Sequence, residues 1–474
     1  MTANPKTQLK KILTRHDVMA LAFGAMIGWG WVVLSGEMID KGGTLGSILA
    51  FVVGGLMAIL VGLVYAELTS AIPRAGGELA FSFRALNPTL SWICGWFLCL
   101  AYVAITAFEA AALSTVIRYL FPDATFIKLY SVAGWDVDIV WIAVGIIGAL
   151  FIGFVNYIGI RQSAIFQTIG VACIFLVGIA LFLGSGFQGS NANMEPLFNG
   201  WSGFFAVVIM TPFMFIGFDV IPQTAEEMKI PAKAVGRLIL FSVAMAATWY
   251  ILVQLSVGRG LSAARHATAY LPTADAMGAV FNSDIAAKIL ILGGLAGILT
   301  SWNAFLIGAS RLLFAMGRSK MIPPFFGRVH PEHRTPSNAI IFITALSAIA
   351  PFFGRQVLVW IVDASGLATV IAYMFVVVSF IALRIKEPEL ERPYKIKNAK
   401  LVGTIAVLLV AFYICLYMPG SPSALIWPNE WIIILAWIVL GAVFILLMRG
   451  RFGDREEQAK FILGEQETSN RRKQ

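Results

Sequence analysis

The chain has 474 residues, 59% of them hydrophobic and 13% charged, roughly half the charged fraction of a soluble globular protein. Its 35 Lys and Arg against 26 Asp and Glu give a formal net charge of +9. Those basic residues sit in the connections between long apolar blocks, which argues against a nucleic-acid surface. The four cysteines, Cys94, Cys99, Cys173 and Cys415, lie inside apolar stretches and read as soft packing residues rather than disulfide partners or metal ligands.

The first apolar block starts after His16 and runs on through Gly-rich sequence without a small-residue cleavage site, so it reads as a retained span rather than a signal peptide. Blocks such as 139–156 and 402–418 approach the ~20 residues that cross a ~30 Å hydrocarbon layer. The ~10-residue alternating segments of a β-barrel are not evident. The reading is an all-α membrane protein with twelve transmembrane helices. In chain order these are 17–40, 43–71, 90–120, 138–157, 162–184, 203–227, 235–257, 286–316, 337–353, 357–384, 400–418 and 429–449. The cut between the ninth and tenth rests on a short turn at Phe352, Phe353, Gly354 and Arg355.

Lys and Arg in the short connections set the orientation. One alternate set of connections, with both tails, carries 28 of the 35; the other carries 7, at Lys41, Arg118, Lys128, Arg259, Arg265, Lys288 and Arg355. Both termini are therefore expected in the cytoplasm, with the chain multi-pass in a plasma (bacterial inner) membrane.

Two spans read as broken. The first contains Gly24-Ala25-Met26-Ile27-Gly28-Trp29-Gly30, and the sixth contains Pro212, Gly217, Asp219 and Pro222. In a helix interior Gly costs about 1 kcal/mol and Pro about 3. Glycines also let helices pack closely, which is the competing reading. Interrupted helices at matching places in two halves, however, point to a transporter binding site, because bare backbone at membrane depth survives only where it is buried in protein or lines a cavity.

Four motifs in order resemble the amino acid–polyamine–organocation (APC) transporter superfamily, over roughly residues 14 to 450. They are Gly24-Ala25-Met26-Ile27-Gly28 in the first span and Glu67-Leu68-Thr69-Ser70-Ala71-Ile72-Pro73-Arg74-Ala75-Gly76-Gly77-Glu78 after the second. Phe215-Ile216-Gly217-Phe218-Asp219 with Ala225-Glu226-Glu227 belongs to the sixth. Ser310-Arg311, Ala315-Met316-Gly317-Arg318 and Pro323 close the eighth. The resemblance implies a 5+5 inverted-repeat (LeuT-like) fold: a tail over 1–16, repeats over 17–184 and 203–384, two further helices over 400–449, and a tail over 450–474. It implies alternating access around a site between helices 1 and 6.

A broken helix offers N–H groups at one half's start and C=O groups at the other half's end, the N-terminal end carrying about half a positive charge. The amides of Gly28, Trp29 and Gly30 suit a carboxylate, and carbonyls around Phe215 and Ile216 suit an ammonium. By resemblance the substrate-binding stretch is Ala25, Met26, Ile27, Gly28, Trp29, Gly30, Phe215, Ile216, Gly217, Phe218 and Asp219. Trp29 replaces the family's usual small residue, and Trp31 follows. If the segment is helical the two rings cannot share one cavity; one faces the site, or both pack against neighbouring helices. Asp219 either caps the broken backbone or attracts an amine. Intramembrane carboxylates are functional candidates by default. Glu109 is therefore a candidate relay, Asp363 a weaker candidate, and Glu67 and Glu227 candidates for gating ion pairs.

For coupling, the fifth-span lysine of some proton-coupled members is replaced by Ile174. Gly297, Thr300 and Ser301 resemble the sodium site of related symporters, completed by carbonyls of Gly24 and Ile27; the competing reading is back-bonding of Thr and Ser to their own helix. Sodium is thus the one metal considered, and no organic cofactor is expected. Proton coupling through a carboxylate and obligate exchange stay open. The function read here is secondary transport of an amino acid, small or neutral, with an amine or polyamine such as ethanolamine as the alternative substrate. A channel and a non-transporting amino acid sensor are readings of other classes. An enzyme is disfavoured, because His16, His266, His330 and His333 fall in loops or at span ends without metal spacing. Partners are a small-molecule substrate and the lipid bilayer; the oligomeric state is not specified.

Overall fold

The computed structural model describes residues 11–121, 127–132, 134–266, 269–355, 357–449 and 451–464. Residues 1–10, 450 and 465–474 of the predicted tails lie outside the described residues.

The first predicted span divides into α1 (Arg15–Met26), α2 (Gly30–Val33) and α3 (Ser35–Gly42). A capping box opens α1: Thr14 Oγ1 accepts from the Asp17 amide, and Asp17 Oδ2 accepts from the Thr14 amide at 2.8 Å. Then come α4 (Thr44–Ala71), the short α5 (Glu78–Ala85) and α6 (Pro88–Leu120), the last started by an Asn87 cap with proline at the first position. Next follow α7 (Ile139–Ile158) and α8 (Ile160–Gln188). The sixth predicted span is split into α9 (Gly200–Val208), α10 (Thr211–Phe215) and α11 (Val220–Gln223). The chain continues with α12 (Ala232–Gly260), α13 (Ala263–His266), α14 (Pro272–Phe281), α15 (Asp284–Arg318), α16 (Ser337–Ile349), α17 (Val357–Lys386), α18 (Ala399–Tyr417), α19 (Asn429–Leu447) and α20 (Arg455–Ile462).

Eleven helical stretches are long and apolar enough to cross a bilayer, and Ser337–Phe353 is a shorter apolar helix at the ninth predicted position. The molecule is a multi-pass helical membrane protein. In their most apolar windows the first and sixth stretches are 83% buried by protein, whereas α18 and α19 are 28% buried. The first and sixth therefore form the centre of the bundle. The outer helices present residues such as Leu176, Ile147 and Leu446 outward, where they suit hydrocarbon and not water.

One element departs from the all-helical expectation. β1 (Lys128–Val132) and β2 (Trp135–Asp138) pair antiparallel between α6 and α7, with Tyr130 opposite Val137. The segment is too short and exposed to leave a periodic signature, and Gly134 at φ 81° supplies its turn.

At the opposite end the N-terminal segment docks on the sixth span. The Ile12 and Leu13 amides both donate to the Glu227 carbonyl at 2.9 Å, and the Lys229 amide donates to the Leu13 carbonyl at 2.9 Å. Helix α20 reaches the same end, where Lys320 Nζ meets Glu457 at 2.6 Å and Arg318 donates to the Phe461 carbonyl at 3.2 Å. The described N- and C-terminal ends thus meet on one face, here the terminal face.

Candidate substrate site

Helical hydrogen bonding lapses over residues 27–29 and 216–219. Ile27 closes α1 at φ −101°, ψ 70°, and Ile216 closes α10 in extended backbone. Gly217 follows at φ 138°, a conformation that favours glycine. A Cβ there would stand 2.8 Å from both the Ala25 Cβ and the Met26 amide nitrogen. The two breaks therefore cross in direct contact, and glycine is what allows their backbones so close.

Beside the crossing lies a narrow void, lined from the two breaks by Ala25, Met26, Gly28, Gly30, Phe213 and Met214. Ile105, Glu109, Tyr250, Ser301 and Phe305 complete its wall. The space left for the centre of a water molecule is about 10 Å³, near the minimum for one water. Side chains nearly fill it, Phe213, Met214 and Phe305 among them.

Neighbouring helices supply partners to the first break. Glu109, 2% exposed in the middle of α6, accepts from the Trp29 amide through Oε1 at 3.4 Å. Its Oε2 has no hydrogen-bond partner among the described residues. A Cβ on Gly28 would collide with Glu109 Oε1 and stand 2.8 Å from Ser301 Oγ. Tyr250 Oη donates to the Met26 carbonyl, and Thr300 Oγ1 donates to the Gly24 carbonyl at 3.3 Å. The amide expected to hold a substrate carboxylate is thus held by a resident one.

The sixth break is served from within. Asp219 Oδ1 accepts from the Gly217 amide at 2.6 Å, and Oδ2 accepts from Tyr102 Oη at 2.9 Å. Both oxygens are engaged, the side chain is fully buried, and it does not line the void. Of the two readings of Asp219, the geometry is that of a cap. Phe215, Ile216 and Phe218 are buried behind the void, whereas Phe213 and Met214 face it.

Trp29 and Trp31 both pack against neighbouring helices. A Cβ on Gly294 of α15 would strike the Trp29 ring, and Trp31 meets Trp249 edge-on at 5.5 Å. Trp29 contributes backbone to the site while its ring lies elsewhere. Gly24, Ile27, Gly297 and Thr300 converge: Thr300 Oγ1 also donates to the Gly297 carbonyl at 3.1 Å, and a Cβ on Gly297 would stand 3.2 Å from the Ile27 carbonyl. Ser301 turns instead toward Gly28 and Glu109.

The acidic residues toward the span ends pair as expected for ion pairs. Glu227 meets Arg311 at 3.1 Å, both 1% exposed, and Glu67 meets Arg384 at 2.5 Å and Arg392 at 3.1 Å. Asp363 faces Glu430 of α19, away from the void. Ile174 is buried in α8. The polar group that α8 brings to the first span is Gln167, whose Nε2 donates to the Ala20 carbonyl at 3.3 Å while its Oε1 accepts from Asn303 at 2.9 Å. The sequence reading missed Gln167, together with Ile105, Phe213, Met214, Tyr250 and Phe305, since each looks like an ordinary residue of an apolar helix.

A helical membrane protein whose two central spans break where they cross, beside a narrow void, has the build of a carrier. A family model for amino acid permeases matches residues 13–444, and the chain belongs to that family of transporters. The branched-chain amino acid permease BcaP of Bacillus subtilis is 29% identical over 451 residues, covering 93% of each chain. The methylthioribose transporter of the same organism is 26% identical, over 94% of this chain and 95% of its own. Cationic amino acid transporter 5 of Arabidopsis thaliana is 30% identical, over 76% of this chain and 63% of its own.

Proposed function

We propose that the protein is a secondary active transporter of a neutral, apolar amino acid, working by alternating access in the plasma membrane with both termini cytoplasmic. The observation that carries this is the void between the two breaks, which combines main chain from the first break with a wall of Ile105, Phe213, Met214 and Phe305. Main chain recognises what all α-amino acids share, and the apolar wall selects the side chain. The name of BcaP agrees with such a wall. On this reading the twelve predicted helices form two inverted five-helix repeats plus two, and the protein is not an enzyme. Uptake of labelled leucine, isoleucine and valine into proteoliposomes tests it; no saturable uptake and no counterflow of any of them sinks it, and flux also separates a carrier from a sensor.

In this proposal the incoming carboxylate takes the Trp29 amide from Glu109, and Glu109 picks up a proton as it is displaced. That couples substrate to protons without a lysine in the fifth span. Dissipating the pH gradient should then abolish accumulation but leave exchange.

Two other readings have an observation each. Sodium is favoured by the convergence of Gly24, Ile27, Gly297 and Thr300, and uptake unchanged when choline replaces sodium removes it. An amine without a carboxylate, such as ethanolamine or a polyamine, is favoured by Glu109 itself, whose Oε2 lacks a partner. Competition of leucine uptake by such an amine, with no competition by other amino acids, would select it.

A further inference from the structure

A second buried polar cluster lies outside the void. It joins α5, on the connection between α4 and α6, to α11, the half of the sixth span nearer the terminal face. Glu78 begins α5 and is fully buried, as is Gln223 of α11. Gln223 Nε2 donates to Glu78 Oε2. The remaining oxygen of each group, Glu78 Oε1 and Gln223 Oε1, has no hydrogen-bond partner among the described residues. Backbones approach closely here as well: a Cβ on Gly77, at φ 32°, would stand 2.7 Å from the Pro222 Cβ.

Two unpaired oxygens on an already joined carboxyl and amide make a specific pattern. Each is an acceptor, so neither can serve the other while Glu78 is ionised; the Tyr65 hydroxyl beside the carboxyl could serve Glu78 but leaves Gln223 Oε1 without a donor. A buried acceptor without a donor costs about 1 to 3 kcal/mol. One proton on Oε1 removes both deficits, because a carboxylic acid and a primary amide then close a two-hydrogen-bond ring.

The surroundings supply no cation for an ionised form. The titratable groups that face the pair are Asp219 from the sixth break, Tyr65 of α4, Tyr102 and Cys94 of α6 and Tyr373 of α17, and none of them is basic. Tyr65 Oη lies near the carboxyl and is the one neighbouring hydroxyl whose donation would favour the ionised form, against the stronger effect of burial. Basic side chains of neighbouring elements are engaged elsewhere: Arg84 with Glu387 at 2.8 Å, Arg311 with Glu227 at 3.1 Å and Arg318 with Glu226 at 3.6 Å. Burial, with the nearby Asp219 adding to it, holds the Glu78 carboxyl well above the usual carboxylate range.

We propose that Glu78 is a proton-binding site separate from the substrate void, and that its proton latches α5 to α11 through Gln223. The ligand is a proton, and, resting on the alternating access proposed above, the device makes movement at the terminal face sensitive to pH. The sign follows from the raised affinity for the proton. The latch is whole while the carboxyl holds its proton. It weakens as pH rises through the carboxyl's own range, where the ring opens to two facing acceptors.

The test is infrared difference spectroscopy on the purified, substrate-free, full-length protein, so that its outcome does not depend on transport. Wild type minus Glu78→Gln at neutral pH should show one protonated-carboxyl C=O band. Raising the pH should bleach that band in wild type. Gln223→Ala, which leaves Glu78 in place, should shift the band to the frequency of a less hydrogen-bonded acid. Identical carbonyl spectra for wild type and Glu78→Gln, or a carboxylate band lost in place of an acid band, would show Glu78 ionised and overturn the proposal. A band unmoved by Gln223→Ala would overturn the latch. In proteoliposomes the counterflow rate should rise with pH in wild type more than in Glu78→Gln; equal profiles also overturn the latch.

Discussion

The two breaks at the centre of the bundle answer the same physical problem in opposite ways. Each interrupts a helix in a place where an unpaired backbone group is costly. The sixth break settles its own account: Gly217 adopts φ 138°, and Asp219, two residues on, turns back to accept from the Gly217 amide. The first break borrows. Its Trp29 amide leans on Glu109, its Met26 carbonyl on Tyr250 and its Gly24 carbonyl on Thr300, from three different helices. A break whose freed amide is capped by its own side chain depends less on its neighbours, although Tyr102 of α6 also holds that cap. A break satisfied by others can exchange those partners for a ligand. On the proposed function, this difference would give recognition to the first span and a bend to the sixth.

The largest expected effect comes from filling the borrowed break. Gly28→Leu drives a side chain into Glu109 and Ser301, and it should abolish uptake while the protein still elutes as a monodisperse peak on size exclusion. Wild-type uptake by that variant would remove the first break from the site. Next comes Glu109→Gln, which keeps the shape of the Trp29 contact but cannot give up and regain a proton. Concentrative uptake should be abolished, because the variant no longer carries the coupling proton, while counterflow persists. Loss of both together would make Glu109 a binding or structural residue only.

At the sixth break the effects should appear in stability first. Gly217→Ala places a Cβ against Ala25 and Met26 in a backbone region costing about 1 to 3 kcal/mol for a non-glycine residue, which should show as a lowered melting temperature. Asp219→Ala leaves the buried Gly217 amide without an acceptor and should cost about 1 to 3 kcal/mol. Asp219→Asn keeps an oxygen for that amide and should retain substrate affinity. A large loss of affinity in Asp219→Asn, without a change in melting temperature, would mean that the sixth break recognises substrate too and would erase the contrast. The smallest effect is one of selectivity. Met214→Ala opens the apolar wall, and competition by amino acids one or two methylenes larger should improve about tenfold.

Much of this was legible in the sequence because the membrane imposes simple rules. Long apolar blocks gave spans within a few residues, and helix breakers marked 24–30 and 212–222 as interruptions. A carboxylate in the middle of the third span singled out Glu109, and charge at span ends anticipated the ion pairs of Glu67 and Glu227. What stayed hidden depended on contacts between distant positions. Nothing local separates Phe213 and Met214, which face the void, from Phe215 and Ile216, which do not; that turns on the rotation of a five-residue helix. The partnership of Glu78 with Gln223 spans 145 positions. Whether Trp29 enters the site is decided by Gly294, which leaves room for its ring in another helix.

The strand-like pairing of Leu13 with Met228 carries a consequence for how the carrier turns over. Main-chain bonds from Ile12 and Leu13 converge on Glu227, whose carboxylate is clasped at the same time by Arg311. If this end opens during the alternating access proposed above, a main-chain ribbon must peel and an ion pair must part together. Leu13→Pro, which removes one of the two amides that donate to the Glu227 carbonyl, should then quicken uptake yet leave the half-saturation concentration alone.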